Sequence, residues 1–232
     1  MRVVVIIPFR DRGRDPLRQA NLDRVLIRWD DFDHPWMIYD DGCSGDEQFN
    51  RSVAYNRAVA DYPDVDVFVF AESDVLIDYS QIDKAIELAA EKPRQVVPFT
   101  EYYYLTPEDS ELVRALKVNP ADCVPEVVLR RSHGCINVVS SEALKRVGGY
   151  DESFAGSWYD DSSMKIAFEK CCGSTKFIDG PVYHLWHLPG WDGDHLTDED
   201  KAATRRNQIR YTRYRHASTV RQIRILTAGG YA

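Results

Sequence analysis

The chain opens on its longest uninterrupted β-branched run, Val3-Val4-Val5-Ile6-Ile7, closed by Pro8. A run of strand length without polar alternation reads as a strand buried on both faces. The VDVFVF segment at Val65–Phe70 has a similar character, so Arg2–Pro8 and Val65–Phe70 are read as two central strands. Shorter candidates lie at Pro35–Tyr39, Gln95–Pro98, Cys135–Val139 and Pro181–Leu185. Between them, helical patterns run over Leu17–Arg28, Phe49–Ala60, Gln81–Glu91, Ser141–Val147 and Ser162–Lys170. Ser140-Ser141-Glu142 forms an N-cap region for one of these, and Gly148-Gly149 stops it. Strands alternating with helices imply βαβ units, hence an α/β fold on a mostly parallel central sheet. Ligands of such sheets gather beyond the carboxyl ends of the strands.

Two stretches stand outside this rhythm. Thr100–Ser132 has no clear period and carries Tyr102-Tyr103-Tyr104, which reads as a functional loop or an unrecognised element. From Thr197 onward the chain reads as helical, with Ile209, Tyr211, Tyr214 and Val220 as packing residues. At 232 residues the chain can bury one substantial core. The expected division is a single domain over residues 1–196 with a basic extension, 197–232, packed on it.

Charge and cysteines narrow the class. A net charge of −8 argues against a nucleic-acid partner. No apolar run approaches the roughly 20 residues that span a bilayer. Yet Lys201 to the end carries eight Lys and Arg and no acid. Such a run is ordinarily a solvated helix face; it can also touch anionic lipid. Five cysteines without a CxxC spacing read as free thiols, and cytoplasm is the expected compartment.

Four segments hold candidate chemistry. Arg10 and Arg12 follow the first strand, where guanidinium forks suit phosphate, although loop arginines are commonly mere surface. The strand at Val67–Phe70 delivers Glu72, Ser73 and Asp74. Acids at i and i+2 share a side of an extended chain and can hold a hard divalent cation against a diphosphate; the bland alternative is a solvated turn. Asp160 and Asp161 precede a helical stretch, where acids serve as caps or, functionally, as a general base. His184 and His187 end a short strand. Both reach one ion only if the chain turns between them, which Pro189-Gly190 nearby would allow.

Taken together these segments resemble the GT-A-fold glycosyltransferases, in particular the β-1,4-galactosyltransferase and chondroitin-polymerase-like branch. IIPFRDR at Ile6–Arg12 is similar to the family's IIPFRNR, and Phe49-Asn50-Arg51 matches its FNR. FVFAESD at Phe68–Asp74 resembles FxFxDVD, and GGYDESFAGSWYDD at Gly148–Asp161 resembles GGFxxxxxGWGxED. HLWH at His184–His187 falls where the family has its metal-binding histidine. The resemblance runs from about Val3 to His187.

It implies a nucleotide-sugar-binding, Rossmann-like GT-A domain. Pro8, Phe9, Arg10, Arg12, Asp40, Phe49, Arg51, Glu72, Ser73, Asp74 and Trp158 would lie along the nucleotide sugar. Asp74, His184 and His187 would bind Mn²⁺ (or Mg²⁺), Asp161 would be the base and Asp160 the acid that holds the acceptor. The implied reaction is inverting transfer from a UDP-sugar to a hydroxyl of a glycan, protein or lipid-linked acceptor. Three departures stand out: Glu72 replaces an Asp, Gly156-Ser157-Trp158-Tyr159 replaces Gly-Trp-Gly, and the membrane anchor and stem of secretory relatives are missing. Two other readings remain open. A non-catalytic nucleotide- or glycan-binding domain is favoured by Glu72. A sugar-phosphate nucleotidyltransferase would need a Gly-rich loop where PFRDR stands.

Overall fold

A computed structural model describes residues 1–190 and 192–231. In β1 (Val3–Pro8) every residue is buried. Val3, Val5 and Ile7 join one hydrophobic core, and Val4 and Ile6 join another on the opposite face. This two-sided burial is why the run lacks polar positions. Next comes α1 (Pro16–Trp29), whose N-cap Asp15 accepts a bond from the Leu17 amide. It is followed by β2 (Trp36–Tyr39), α2 (Arg51–Asp61) and β3 (Val67–Ala71), with Asn50 capping α2. Both strands run parallel to β1, one on each side, so their carboxyl ends share one edge.

The chain then leaves the main sheet through β4 (Val75–Ile77), α3 (Tyr79–Glu91), β5 (Gln95–Val97), β6 (Glu101–Tyr104), α4 (Pro107–Arg114) and β7 (Val127–Arg130). It continues through β8 (Ile136–Ser140), α5 (Ser141–Val147), α6 (Asp160–Cys172), β9 (Lys176–Phe177) and β10 (Pro181–His184), and ends in α7 (Asp198–His216) and α8 (Val220–Thr227). The main sheet has the order β2-β1-β3-β8-β5-β9, in which only β8 runs against its neighbours. A second sheet has the order β4-β10-β6-β7. The expected α/β class and mostly parallel sheet are borne out.

Of the two alternatives for Thr100–Ser132 the unrecognised element holds: the segment is a strand, a helix, a 3₁₀ turn and a second strand. It escaped because β7 is exposed at all four positions and so has no buried period. Asp160 and Asp161 do not precede α6 but form its first turn, behind an N-cap, Tyr159, that makes no side-chain capping bond. In the tail, Tyr214 is fully buried but Ile209 and Val220 are 61% and 44% exposed. The buried face of α7 is Asp200, Ala203, Asn207, Arg210 and Tyr214, a helical stripe that is mainly polar.

Candidate functional site

The edge where β1, β2 and β3 end is the place to look. β3 stops at Ala71, and Glu72-Ser73-Asp74 bends into β4. Strand alternation therefore lapses, and the two acids part company instead of sharing a side. Asp74, 3% exposed, turns toward the second sheet, where β10 delivers His184. The Leu185 amide donates to the Asp74 carbonyl at 2.8 Å, joining the two segments. His187 lies three residues on, past the end of β10. Ligand atoms of Asp74, His184 and His187 lie within 4.8 Å of one another, so the two histidines converge on Asp74.

The chemistry of this trio fits a cation. His187 Nδ1 lies 2.8 Å from the Leu188 carbonyl, which can only accept, so Nδ1 donates. That leaves Nε2 turned to Asp74 Oδ2 at 3.1 Å, and a metal-ligating histidine characteristically fixes its second ring nitrogen on a carbonyl in this way. Asp74 Oδ1 is buried without a hydrogen-bond partner, with His184 Nε2 3.8 Å away. Burial brings His184 down to about 4, which keeps its imidazole neutral near pH 7 and fit to ligate. Burial works against the Asp74 charge, but His184 (charged once acid protonates it), the hydrogen bond with His187 and the Arg18 guanidinium outweigh it and hold the carboxyl well below the usual range. Tyr102 and Tyr104 wall His184, with ring centroids 5.7 and 4.8 Å away.

Glu72 goes the other way, to Arg51 at the start of α2. The same guanidinium bonds Asp160 Oδ2 at 2.5 Å and Asp161 Oδ2 at 2.7 Å. Asp161 is the more open of the two, 29% exposed against 11%. Burial and the neighbouring Asp160 push Asp161 up to about 6 against the pull of Arg51. Burial disfavours charge on Arg51 too, but Asp160 and Asp161 more than offset it and raise its pKa. The His133–Cys135 turn closes over this cluster. A Cβ on Gly134 would stand 3.0 Å from Asp161 Oδ2, and the Cys135 carbonyl accepts from the Glu72 amide at 2.8 Å. Cys135, Trp158 and Tyr159 all have left-handed backbones, with φ of 64°, 73° and 74°. Such non-glycine conformations are costly and persist where surroundings impose them.

The remaining sequence candidates divide. Pro8 is buried, Phe9 is half-buried with its amide on the Tyr39 carbonyl, and Ser73 is buried. Phe49 packs 5.9 Å beneath the Arg10 guanidinium. The arginine forks are engaged inside the protein. Arg10 bonds Asp41 at 2.8 Å and the Gly45 and Glu47 carbonyls at 2.7 and 2.8 Å, while Arg12 bonds Asp200 and the Asp46 carbonyl. Asp40 is exposed and paired with Arg57, whereas its neighbour Asp41 is buried against Arg10 and the Asn50 amide. Trp158 is 49% exposed beside the acids. Sequence reasoning missed Asp41 and Arg18. The Asp40-Asp41 doublet closing β2 was a signal for the first; nothing in the sequence marked the second.

The architecture is the GT-A glycosyltransferase fold. The chain superposes on glucosyl-3-phosphoglycerate synthase from Mycobacterium tuberculosis, in complex with Mn²⁺, UDP-glucose and phosphoglyceric acid, at TM-score 0.53 and 14% identity over 100% of this chain and 81% of that one. The same enzyme with Mg²⁺ and UDP matches at TM-score 0.52 and 14% identity over 88% of this chain and 77% of that one. The catalytic domain of Drosophila β1,4-galactosyltransferase 7, in complex with xylobiose, aligns at TM-score 0.47 and 14% identity over 95% and 83% of the two chains, too distant to bear on the fold. No protein-family profile and no curated protein sequence matches the chain.

Proposed function

We propose that this chain is a metal-dependent, inverting glycosyltransferase that moves a sugar from a UDP-sugar onto an acceptor hydroxyl. One observation carries the reading: a buried carboxylate with one oxygen unpartnered faces two imidazoles just past the carboxyl end of β3, two residues from the Glu72 that leads through Arg51 to the Asp161 cluster. Asp74, His184 and His187 would hold Mn²⁺, or Mg²⁺. When bound, the ion would offset charge gathering on the leaving diphosphate. Asp161 takes the proton of the acceptor hydroxyl as its oxygen bonds to the anomeric carbon. The bond from that carbon to the diphosphate oxygen breaks, and UDP leaves. Approach from the face opposite the diphosphate inverts the centre. Asp160 and Glu72 keep Arg51 in register with the base.

The nucleotide would lie over Pro8, Phe9, Asp40, Phe49 and Ser73, with Arg10 and Arg12 shaping the loops around it and Trp158 walling the acceptor side. A galactosyltransferase-like donor and a glycan, protein or lipid-linked acceptor fit the sequence resemblance. We read residues 1–196 as the catalytic unit and 197–232 as an extension docked on it. The five cysteines are all unpaired, which suits the cytoplasm, and exposed arginines of the extension suit an anionic membrane surface. No helix among the described residues is long and apolar enough to cross a membrane.

A second reading rests on Arg51. Because it engages Glu72, Asp160 and Asp161 at once, the chain could bind nucleotide or glycan without turnover. Incubation with a panel of UDP-sugars and candidate acceptors in Mn²⁺ separates the two. UDP release that is abolished by EDTA and by Asp74→Ala supports the enzyme. Tight UDP binding with no release from any donor supports the binding domain.

A further inference from the structure

Every arginine that sequence reasoning assigned to the nucleotide is held by several protein acceptors; Arg18 is not. It sits in the first turn of α1, its side chain 39% exposed, with one ion pair among the described residues, 3.4 Å from Nη1 to Asp74 Oδ2. That contact is long for a charge-assisted bond, which ordinarily falls at about 2.7–2.9 Å. By contrast Arg10 makes a 2.8 Å pair with Asp41 and is 9% exposed. The frame beneath Arg18 is nonetheless rigid. Asp15 accepts from the Leu17 amide at 2.9 Å and, through its other oxygen, from the Leu188 amide at 2.7 Å. Asn21 Nδ2 reaches the Leu185 and Trp186 carbonyls at 3.4 and 3.3 Å. The turn that carries Arg18 is thereby bolted to the segment that carries His187, and a loosely held cationic fork stands at the mouth of the Asp74 cluster.

We propose that Arg18 is a phosphate-binding residue that exchanges partners: it pairs with Asp74 when no cation is there and turns to the donor diphosphate when one is. The inference rests on reading Asp74, His184 and His187 as a divalent-cation site. A dication on Asp74 cancels the carboxylate's attraction and repels the guanidinium, and a diphosphate held there offers the fork several oxygens. One residue thus competes with the metal and assists the nucleotide, so its removal has effects of opposite sign.

The test measures Mn²⁺ binding by electron paramagnetic resonance, and UDP and uridine binding by calorimetry in saturating Mn²⁺, for the wild type, Arg18→Gln and Arg18→Lys. Arg18→Gln is expected to tighten Mn²⁺ alone by about two- to tenfold. It is expected to weaken UDP by roughly tenfold to a hundredfold and to leave uridine unchanged. Arg18→Lys, which keeps charge but lacks the fork, should recover only part of the UDP affinity. If the wild type binds Mn²⁺ and UDP but Arg18→Gln shifts both in the same direction, shifts neither, or weakens uridine as much as UDP, the exchange is wrong and the metal site stands. If Mn²⁺ binding is absent, or is equal in the wild type and Asp74→Ala, the metal reading fails and the exchange with it.

Discussion

Asp161 is a carboxylate whose surroundings pull against each other: burial and Asp160 favour its proton, and Arg51 favours its charge. With burial ahead, it is pushed up to about 6, into the range where a general base is effective near neutrality. The sign follows for stability. The folded chain holds this proton more tightly than the unfolded chain, so the stability it contributes is full below the ordinary carboxylate value of about 4 and is lost as pH rises through about 6. Activity runs oppositely and should climb through the same range. Asp161→Asn is expected to cut turnover by about 10²–10⁴ with Mn²⁺ and UDP affinity retained, and to flatten both pH profiles. A wild-type rate that declines as pH rises through about 6 would sink the assignment.

At the scale of elements, α7 braces the site through polar contacts. Its Asp200 accepts from Arg14 at 2.5 Å, from Gln48 at 2.7 Å and from Arg12, tying down the loops after β1 and β2. Asn207 Nδ2 lies 3.0–3.2 Å from the carbonyls of Ala155, Ser157 and Trp158, beneath the left-handed turn that leads into Asp160. Arg210 and Tyr214 both donate to buried Asp151, at 2.7 and 2.8 Å. Asn207→Ala leaves those carbonyls without their donor and should cost about 1–3 kcal/mol, with turnover falling more than UDP affinity as the acceptor-side turn loosens. Ile209→Ala, two residues on, should stay within about 0.5 kcal/mol of the wild type. Denaturant melts of the pair check this, and a larger loss in the isoleucine variant would refute the polar-brace account.

Across the whole molecule, charge is segregated: the net value is −8, yet no acid follows Asp200. Arg210 is consumed internally, whereas Arg205, Arg215, Arg221 and Arg224 are exposed, near the exposed Val220 and Tyr231. Flotation with phosphatidylserine vesicles at low salt should carry the chain upward, and neutral vesicles or high salt should not; no flotation at low salt removes the membrane contact from the reading. The segregation was legible in sequence, as were the strands that start and centre the sheet, because residues buried on two faces must be apolar at every position. The sequence also marked Asp74, Asp161 and the histidine pair as candidates, since each lies at or just past the end of a strand or in the first turn of a helix, beside a familiar pattern. Hydropathy is silent where burial is satisfied by hydrogen bonds, which hid the packing stripe of α7, and where strands are exposed, which hid β7. Which acid meets which base was decided only in three dimensions. The bend after Ala71 sends Glu72 to Arg51 and Asp74 to the histidines, and α1, docked on the His187 segment, brings Arg18 to Asp74 from 56 residues away. Composition and period record what each residue prefers to be surrounded by; the partners come from how distant segments are stacked.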